Sequence, residues 1–146
     1  MRVRDVFELE NAAATASLAL RVAAQLQRGD AVLLEGPLGA GKTTFARALL
    51  RALTQDPALD VPSPSYTLVQ SYETPLGTVH HLDLWRLAGP GELIELGWED
   101  MLADIVLVEW AERLGPDRPD GALTVLLQPI SEAARHATLS GWNRHL

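Results

Sequence analysis

The run Gly36-Pro37-Leu38-Gly39-Ala40-Gly41-Lys42-Thr43-Thr44 has the spacing G-x-x-x-x-G-K-[ST], which suits a phosphate group. Glycines let the backbone curl until successive N–H groups point inward as a nest for an anion. A helix opening at the end of such a run adds unsatisfied amides and a positive dipole end. Candidate phosphate contacts are therefore Gly36, Leu38, Gly39, Ala40, Gly41, Lys42, Thr43 and Thr44. Lys42 supplies a movable positive charge for β- and γ-phosphates, and the Thr43 hydroxyl is a ligand for Mg²⁺. Lys42 is also the only lysine in the chain; every other basic side chain except histidine is arginine. A guanidinium is bulkier than an ammonium and fits poorly inside a tight phosphate nest, so keeping lysine here has a physical reason.

Two acids are placed to serve such a nest. Residues 104–110, Asp104-Ile105-Val106-Leu107-Val108-Glu109-Trp110, are an apolar run followed by a carboxylate. This is the Walker-B pattern, a buried parallel strand that delivers an acid at its C-terminal edge, where ligands of open α/β sheets sit. Glu109 is a candidate to hold Mg²⁺ or to orient an attacking water. Trp110 either shields the site or packs in the core. Asp83 ends another strand-like stretch and is a second candidate acid, to hold the metal or to polarise the attacking water. The loop Val61-Pro62-Ser63-Pro64-Ser65-Tyr66-Thr67 is stiffened by two prolines and carries the hydroxyls of Ser63, Ser65 and Thr67. A loop of that kind after the first helix of a phosphate site is suited to sensing a terminal phosphate and its metal. The adjacent His80 and His81 face opposite sides of a strand, cannot share one metal, and read as structural.

The elements that must position these groups follow from pattern. Residues 3–9 read as an edge strand or extended lead-in. Asn11 caps a helix whose apolar stripe is Ala12, Ala16, Ala19, Leu20, Ala23 and Leu26, closed by Gly29. Residues 31–35 are a short continuous apolar run, expected as a central strand. A helix over 42–53 places Phe45, Ala48, Leu49 and Ala52 inward. Residues 68–73 and 78–83 form a hairpin around Thr74-Pro75-Leu76-Gly77. A short helix follows Gly89-Pro90, another turn or helix spans 97–102, and residues 122–128 and 135–140 are two closing strands.

With 146 residues and 47% hydrophobic content, residues 1–146 are expected to form a single domain. No apolar run is long enough to cross a membrane, the N-terminal stretch lacks a secretory h-region, and cysteine is absent. A cytoplasmic protein without membrane association is expected. The net charge of −7 is the wrong sign for gripping a nucleic-acid backbone unaided. A guanine reader of the N/T-K-x-D type requires a second lysine, which the chain does not have.

The phosphate loop, Ser63-Pro64-Ser65-Tyr66-Thr67-Leu68-Val69, His81-Leu82-Asp83-Leu84-Trp85-Arg86-Leu87 and Leu107-Val108-Glu109-Trp110 occur in that order. Together they resemble the bacterial TsaE (YjeE) family, the ATPase of tRNA threonylcarbamoyladenosine biosynthesis. The resemblance implies a P-loop NTPase-like α/β three-layer sandwich. Its mixed sheet would have parallel core strands and antiparallel hairpin and edge strands. It implies ATP and Mg²⁺ as cofactors, Lys42 on phosphates, Thr43 with Glu109 on the metal, and Asp83 as the other acid. Residues 63–67 become a nucleotide-sensing switch. Thr15 and Arg135 fall where the family has a hydroxyl on the first helix and a C-terminal arginine. The implied partners are TsaD and TsaB, which transfer threonylcarbamoyl to adenosine 37 of tRNAs reading ANN codons; tRNA is reached through them. No in-chain arginine finger is identifiable, so weak hydrolysis alone and stimulation by partners are expected. The alternatives are a P-loop small-molecule kinase and a nucleotide-gated adaptor. Pro37 stands where Asp is common in the family, Ser65 for Thr, Trp85 for Tyr, and Gly89 and Gly91 for acidic residues.

Overall fold

Residues 31–35 are apolar on both faces of a strand, and such a strand has to be covered on both sides. In the computed structural model, which describes residues 4–146, that stretch is β2 (Ala31–Glu35), fourth in a seven-stranded sheet. The other strands are β1 (Arg4–Leu9), β3 (Val69–Thr74), β4 (Gly77–Asp83), β5 (Ile105–Glu109), β6 (Leu123–Pro129) and β7 (Arg135–Ser140). Their spatial order is β1-β7-β6-β2-β5-β4-β3. The core is parallel, β2 pairing with β5 and β6 and β5 with β4. The margins are antiparallel, with the β3–β4 hairpin at one edge and β6–β7–β1 at the other. This is the mixed α/β arrangement expected. Val3, where the expected first strand begins, lies outside the described residues.

Two helices cover one face, α1 (Ala12–Ala23) and α2 (Lys42–Thr54). Their core includes Leu18, Val22, Phe45, Leu49 and Leu50, packed on Val32, Leu34, Ile105 and Leu107. The opposite face is covered by α3 (Pro90–Glu95), α4 (Trp98–Met101) and a 3₁₀ segment over Ala111–Asp117 that breaks at Gly115. Leu93, Trp98, Met101 and Leu114 pack there on Leu33, Leu82, Val106 and Val108. Successive residues of one strand thus feed two separate cores, giving three layers.

The first helix departs from expectation in two ways. Asn11 does cap it, its side chain accepting the Ala14 N–H at 2.9 Å. The buried stripe, however, is Thr15, Leu18, Ala19 and Val22, while Leu20 is 53% exposed. An alanine-rich helix fits several stripes equally well, and the larger Leu18 and Val22 select the face. The helix also ends at Ala23, where three-residue bonds from Gln25 to Val22 and Leu26 to Ala23 tighten the last turn. Gly29 belongs to a separate turn and donates its N–H to the Asp104 carbonyl at 2.9 Å. On α2 the buried apolar residues are Phe45, Ala46, Leu49, Leu50 and Leu53; Ala48 and Ala52 are both half-buried. Among the described residues, no helix is long and apolar enough to cross a membrane.

Candidate functional site

The C-terminal ends of β2, β4 and β5 lie side by side, with Asp83 directly opposite Glu109 in the β4–β5 register. Ligands of open α/β sheets sit at that edge. A cavity of about 500 Å³ opens there, lined by residues 38–44 together with Ser63, Ser65, Asp83, Glu109, Trp110 and Arg135 among others.

The loop from β2 to α2 is held by backbone geometry only glycine supplies. A Cβ on Gly36 would lie 2.3 Å from the Leu127 carbonyl oxygen of the neighbouring strand. Gly41 opens α2 with φ +103°, in the left-handed region. The first helical bond runs from Phe45 N–H to the Gly41 carbonyl, so the amides of Lys42, Thr43 and Thr44 have no helical acceptor and remain available to an anion.

Lys42 is 5% exposed. Its Nζ donates to the carbonyls of Gly36 at 2.5 Å and Pro37 at 2.8 Å, and lies 3.9 Å from the centroid of the Trp110 ring. Trp110 is in turn 4.5 Å from Trp85, ring centre to ring centre. Burial holds the Lys42 pKa below the ordinary lysine value, while the carboxylates of Glu112, Glu109 and Asp83 pull it back up. The ammonium is already out of water, so a phosphate in the cavity can take the place of the two carbonyls without further desolvating Lys42.

Glu109 is buried rather than an exposed strand end. Its Oε1 accepts the Thr43 hydroxyl at 3.0 Å, and its Oε2 lies 2.6 Å from His81 Nε2. Thr43 and Glu109 therefore present two hard oxygen donors at the cavity wall. Among the described residues there is no cluster of three or more His, Cys, Asp or Glu able to cage a metal. Mg²⁺ normally takes one or two protein oxygens and completes its shell with water and phosphate, so this donor set fits it.

Asp83 is equally buried, but its partners are of another kind. Its Oδ2 accepts the hydroxyls of Ser63 and Ser65, both at 3.1 Å, and its Oδ1 accepts the Trp85 N–H at 3.0 Å. The 63–67 loop is thus latched to an acid on the sheet through two serines. Thr67 is not brought to the cavity; it is exposed on the far side of Tyr66 in the chain and lines no part of it. Gly36 lies behind the wall, its N–H donated to Glu112 Oε2 at 3.2 Å.

Arg135 grips the phosphate loop from β7: its Nε donates to the Ala40 carbonyl at 3.1 Å and one terminal nitrogen to Gly39 at 3.0 Å. It also borders a second concavity of about 210 Å³, shared with Thr15, Gly41 and Thr44. Thr15 and Arg135 thus flank the same end of the loop, although 120 positions apart in the chain. Sequence reasoning missed several wall residues. Tyr66, Trp85 and Arg86 line the cavity, with the Arg86 guanidinium 4.5 Å above the Tyr66 ring. His81, read as structural, reaches Glu109. Strand parity held the signal, since His81 and Asp83 are two apart and share a face.

A nest after the central parallel strand β2, with acids at the ends of β5 and of β4 beyond it, defines an α/β domain of the P-loop kind. The sequence model of "Threonylcarbamoyl adenosine biosynthesis protein TsaE" matches residues 9–137. The chain belongs to the TsaE family. A tRNA threonylcarbamoyladenosine biosynthesis protein TsaE of Rickettsia felis is 41% identical over 105 residues, 71% of this chain and 61% of that protein. The protein of the same name from Rickettsia bellii is 36% identical, with 83% and 84% of the two chains covered. That of Nostoc sp. is 36% identical over 88% of this chain and 81% of its own. The crystal structure of YdiB from Bacillus subtilis superposes with a TM-score of 0.79 at 25% identity, covering 96% of this chain and 86% of that one.

Proposed function

We propose that this chain binds ATP with Mg²⁺ and hydrolyses it in support of a TsaD–TsaB complex that forms threonylcarbamoyladenosine at position 37 of tRNAs reading ANN codons. The observation that carries this reading is the convergence of Lys42, Thr43, Asp83 and Glu109 on one cavity at the sheet's C-terminal edge. Family membership, and the names of the curated relatives, support the tRNA pathway.

Phosphoryl transfer to water is mostly positioning and charge stabilisation. The amides of Lys42, Thr43 and Thr44 and the Lys42 ammonium hold the polyphosphate. Thr43 and Glu109 hold the magnesium ion, which when bound neutralises charge on the phosphate oxygens. Asp83 ties the 63–67 loop to the sheet and orients water at the terminal phosphate. Thr15 and Arg135, beside the second concavity, flank the nucleoside end. Both guanidinium groups on the cavity wall are engaged, Arg135 by the phosphate-loop carbonyls and Arg86 by Tyr66. Hydrolysis by the chain alone is therefore weak, and partner binding completes the site. The net charge of −7 leaves tRNA to the partners, in a cytoplasmic complex.

The test is ATPase activity of the pure protein with and without the TsaD–TsaB pair. Stimulation by the pair supports the reading. Full-rate hydrolysis by the chain alone, or phosphate appearing on a metabolite with no protein partner, overturns it in favour of a self-sufficient ATPase or a small-molecule kinase.

A further inference from the structure

A carboxylate taken out of water needs a donor on each oxygen, or the burial is strongly unfavourable. Glu109 is 2% exposed and has two donors within reach, one from α2 and one from β4. They are not equivalent. Thr43 carries a single hydroxyl on the rim of the cavity, and under the function proposed above its oxygen is also a metal ligand. His81 lies behind Glu109, fully buried, and is not among the residues that line the cavity. Its imidazole is rigid and planar, and β4 fixes where it stands: Asp83 pairs with Glu109 in register, and His81 pairs with Leu107.

The two nitrogens of this ring differ in a telling way. Nε2 is 2.6 Å from Glu109 Oε2, whereas Nδ1 is buried and has no hydrogen-bond partner among the described residues. Placing the proton on Nε2 in a neutral ring satisfies the carboxylate and leaves Nδ1 only as a bare acceptor. Any proton on Nδ1 would be a stranded donor, which costs more. His80, one residue away on the opposite face, shows the contrast. Both its nitrogens are partnered, Nδ1 by Ser71 at 2.8 Å and Nε2 by Asp104 at 2.9 Å, and it touches nothing in the site.

We propose that His81 is a positioning residue that holds the Glu109 carboxylate in its metal-binding orientation through Nε2–H, and that it remains the sole donor fixing that carboxylate once Thr43 turns to the metal. The inference rests on the Mg²⁺–nucleotide reading of the site. His81 itself touches neither nucleotide nor metal; it acts through Glu109. Outer-shell partners of this kind typically alter metal affinity by about 10- to 100-fold when removed.

Two amide replacements separate the role from mere packing. Glutamine can bring its NH₂ to the place of Nε2, whereas asparagine brings it only to the place of Nδ1. ADP binding is measured by calorimetry across a Mg²⁺ titration and again in EDTA. His81→Gln is expected to keep the Mg²⁺ requirement of the unmodified protein. His81→Asn is expected to need about 10- to 100-fold more Mg²⁺, with its metal-free ADP affinity matching that of His81→Gln. Equal Mg²⁺ requirements for the two variants overturn the proposal. So does an equal loss of affinity with and without metal, which marks a packing defect. The unmodified protein supplies an independent measurement. Ring ¹⁵N shifts of His81 are expected to show a proton on Nε2, and a ring protonated only at Nδ1 overturns the proposal. If the unmodified protein binds ADP with no response to Mg²⁺ at all, the reading of the site falls, and this inference with it.

Discussion

Asp83 and Glu109 stand opposite each other on adjacent parallel strands, both buried and both facing one cavity, yet they are held in different ways. Glu109 is fixed by groups on regular structure: the first turn of α2 through Thr43 and the strand β4 through His81. Two of Asp83's three donors come instead from the 63–67 loop, whose Ser63 is exposed and whose Tyr66 is 84% exposed. A carboxylate held by a buried side chain on a strand keeps its place when the ligand arrives, even as Thr43 turns to the metal. One bonded to loop hydroxyls exchanges partners at little cost, because water can satisfy both sides when the loop leaves. Equal burial therefore hides unequal stiffness. Glu109 is suited to be a fixed post and Asp83 a latch.

The comparison breaks first at the charge both acids share. Lys42→Ala removes the ammonium that both carboxylates pull on. Nucleotide affinity is expected to fall on the order of 10²- to 10³-fold, read by equilibrium binding of ADP and ATP; tight ATP binding by this variant contradicts the assigned role. Next, Glu109→Ala strikes the fixed post. It is expected to raise the Mg²⁺ requirement by more than the roughly 10- to 100-fold of an outer-shell loss, with the hydrogen-exchange protection of the 63–67 loop unchanged. Asp83→Asn strikes the latch and should do the reverse. The loop amides exchange faster and turnover with the partner complex drops, while the Mg²⁺ requirement stays within about threefold of the unmodified protein, well short of a direct metal-ligand loss. If Asp83→Asn and Glu109→Ala shift the Mg²⁺ requirement alike, the distinction between post and latch is wrong.

The smallest expected effect is on pH dependence. Burial holds the Lys42 pKa below 10.5. Between that lowered value and 10.5, the unfolded chain keeps a proton that the folded chain has released. Through this group, stability therefore rises with pH across the window, and below it the burial cost of the charge is present in full. Because the raised Tyr72 pKa acts in the opposite direction in the same range, the quantity to follow is the denaturant midpoint of the unmodified protein minus that of Lys42→Met, which should rise across this window.

Local signals were enough for much of this molecule. The phosphate loop, the strand before it and the acid ending β5 are each contiguous runs in which residue type and conformational demand coincide. Gly36 and Gly41 are required by a close approach and a left-handed turn, and Lys42 by the tightness of the nest. The hairpin was equally legible from two strand-like runs and a turn. The inward face of α1 was not, because alanines every few positions fit more than one stripe, and only packing against the sheet chose Thr15, Leu18, Ala19 and Val22. The end of α1 was misplaced for a related reason: Gly29 looks like a terminator, yet its N–H serves the Asp104 carbonyl from another part of the chain.

What the sequence determined by itself is the nest, its lysine and the order of the acids along the chain, since these depend on backbone conformation and chemistry within a few residues. Which side chain stands behind which was decided by tertiary structure. His80 and His81 are chemically identical neighbours, and the register of β4 against β5 sends one to Asp104 and the other to Glu109. Likewise Arg135 reaches the phosphate loop only because β7 closes the sheet beside β6. Register is a relation between strands far apart in the chain, fixed by which faces must be buried together, and no single stretch of sequence contains it.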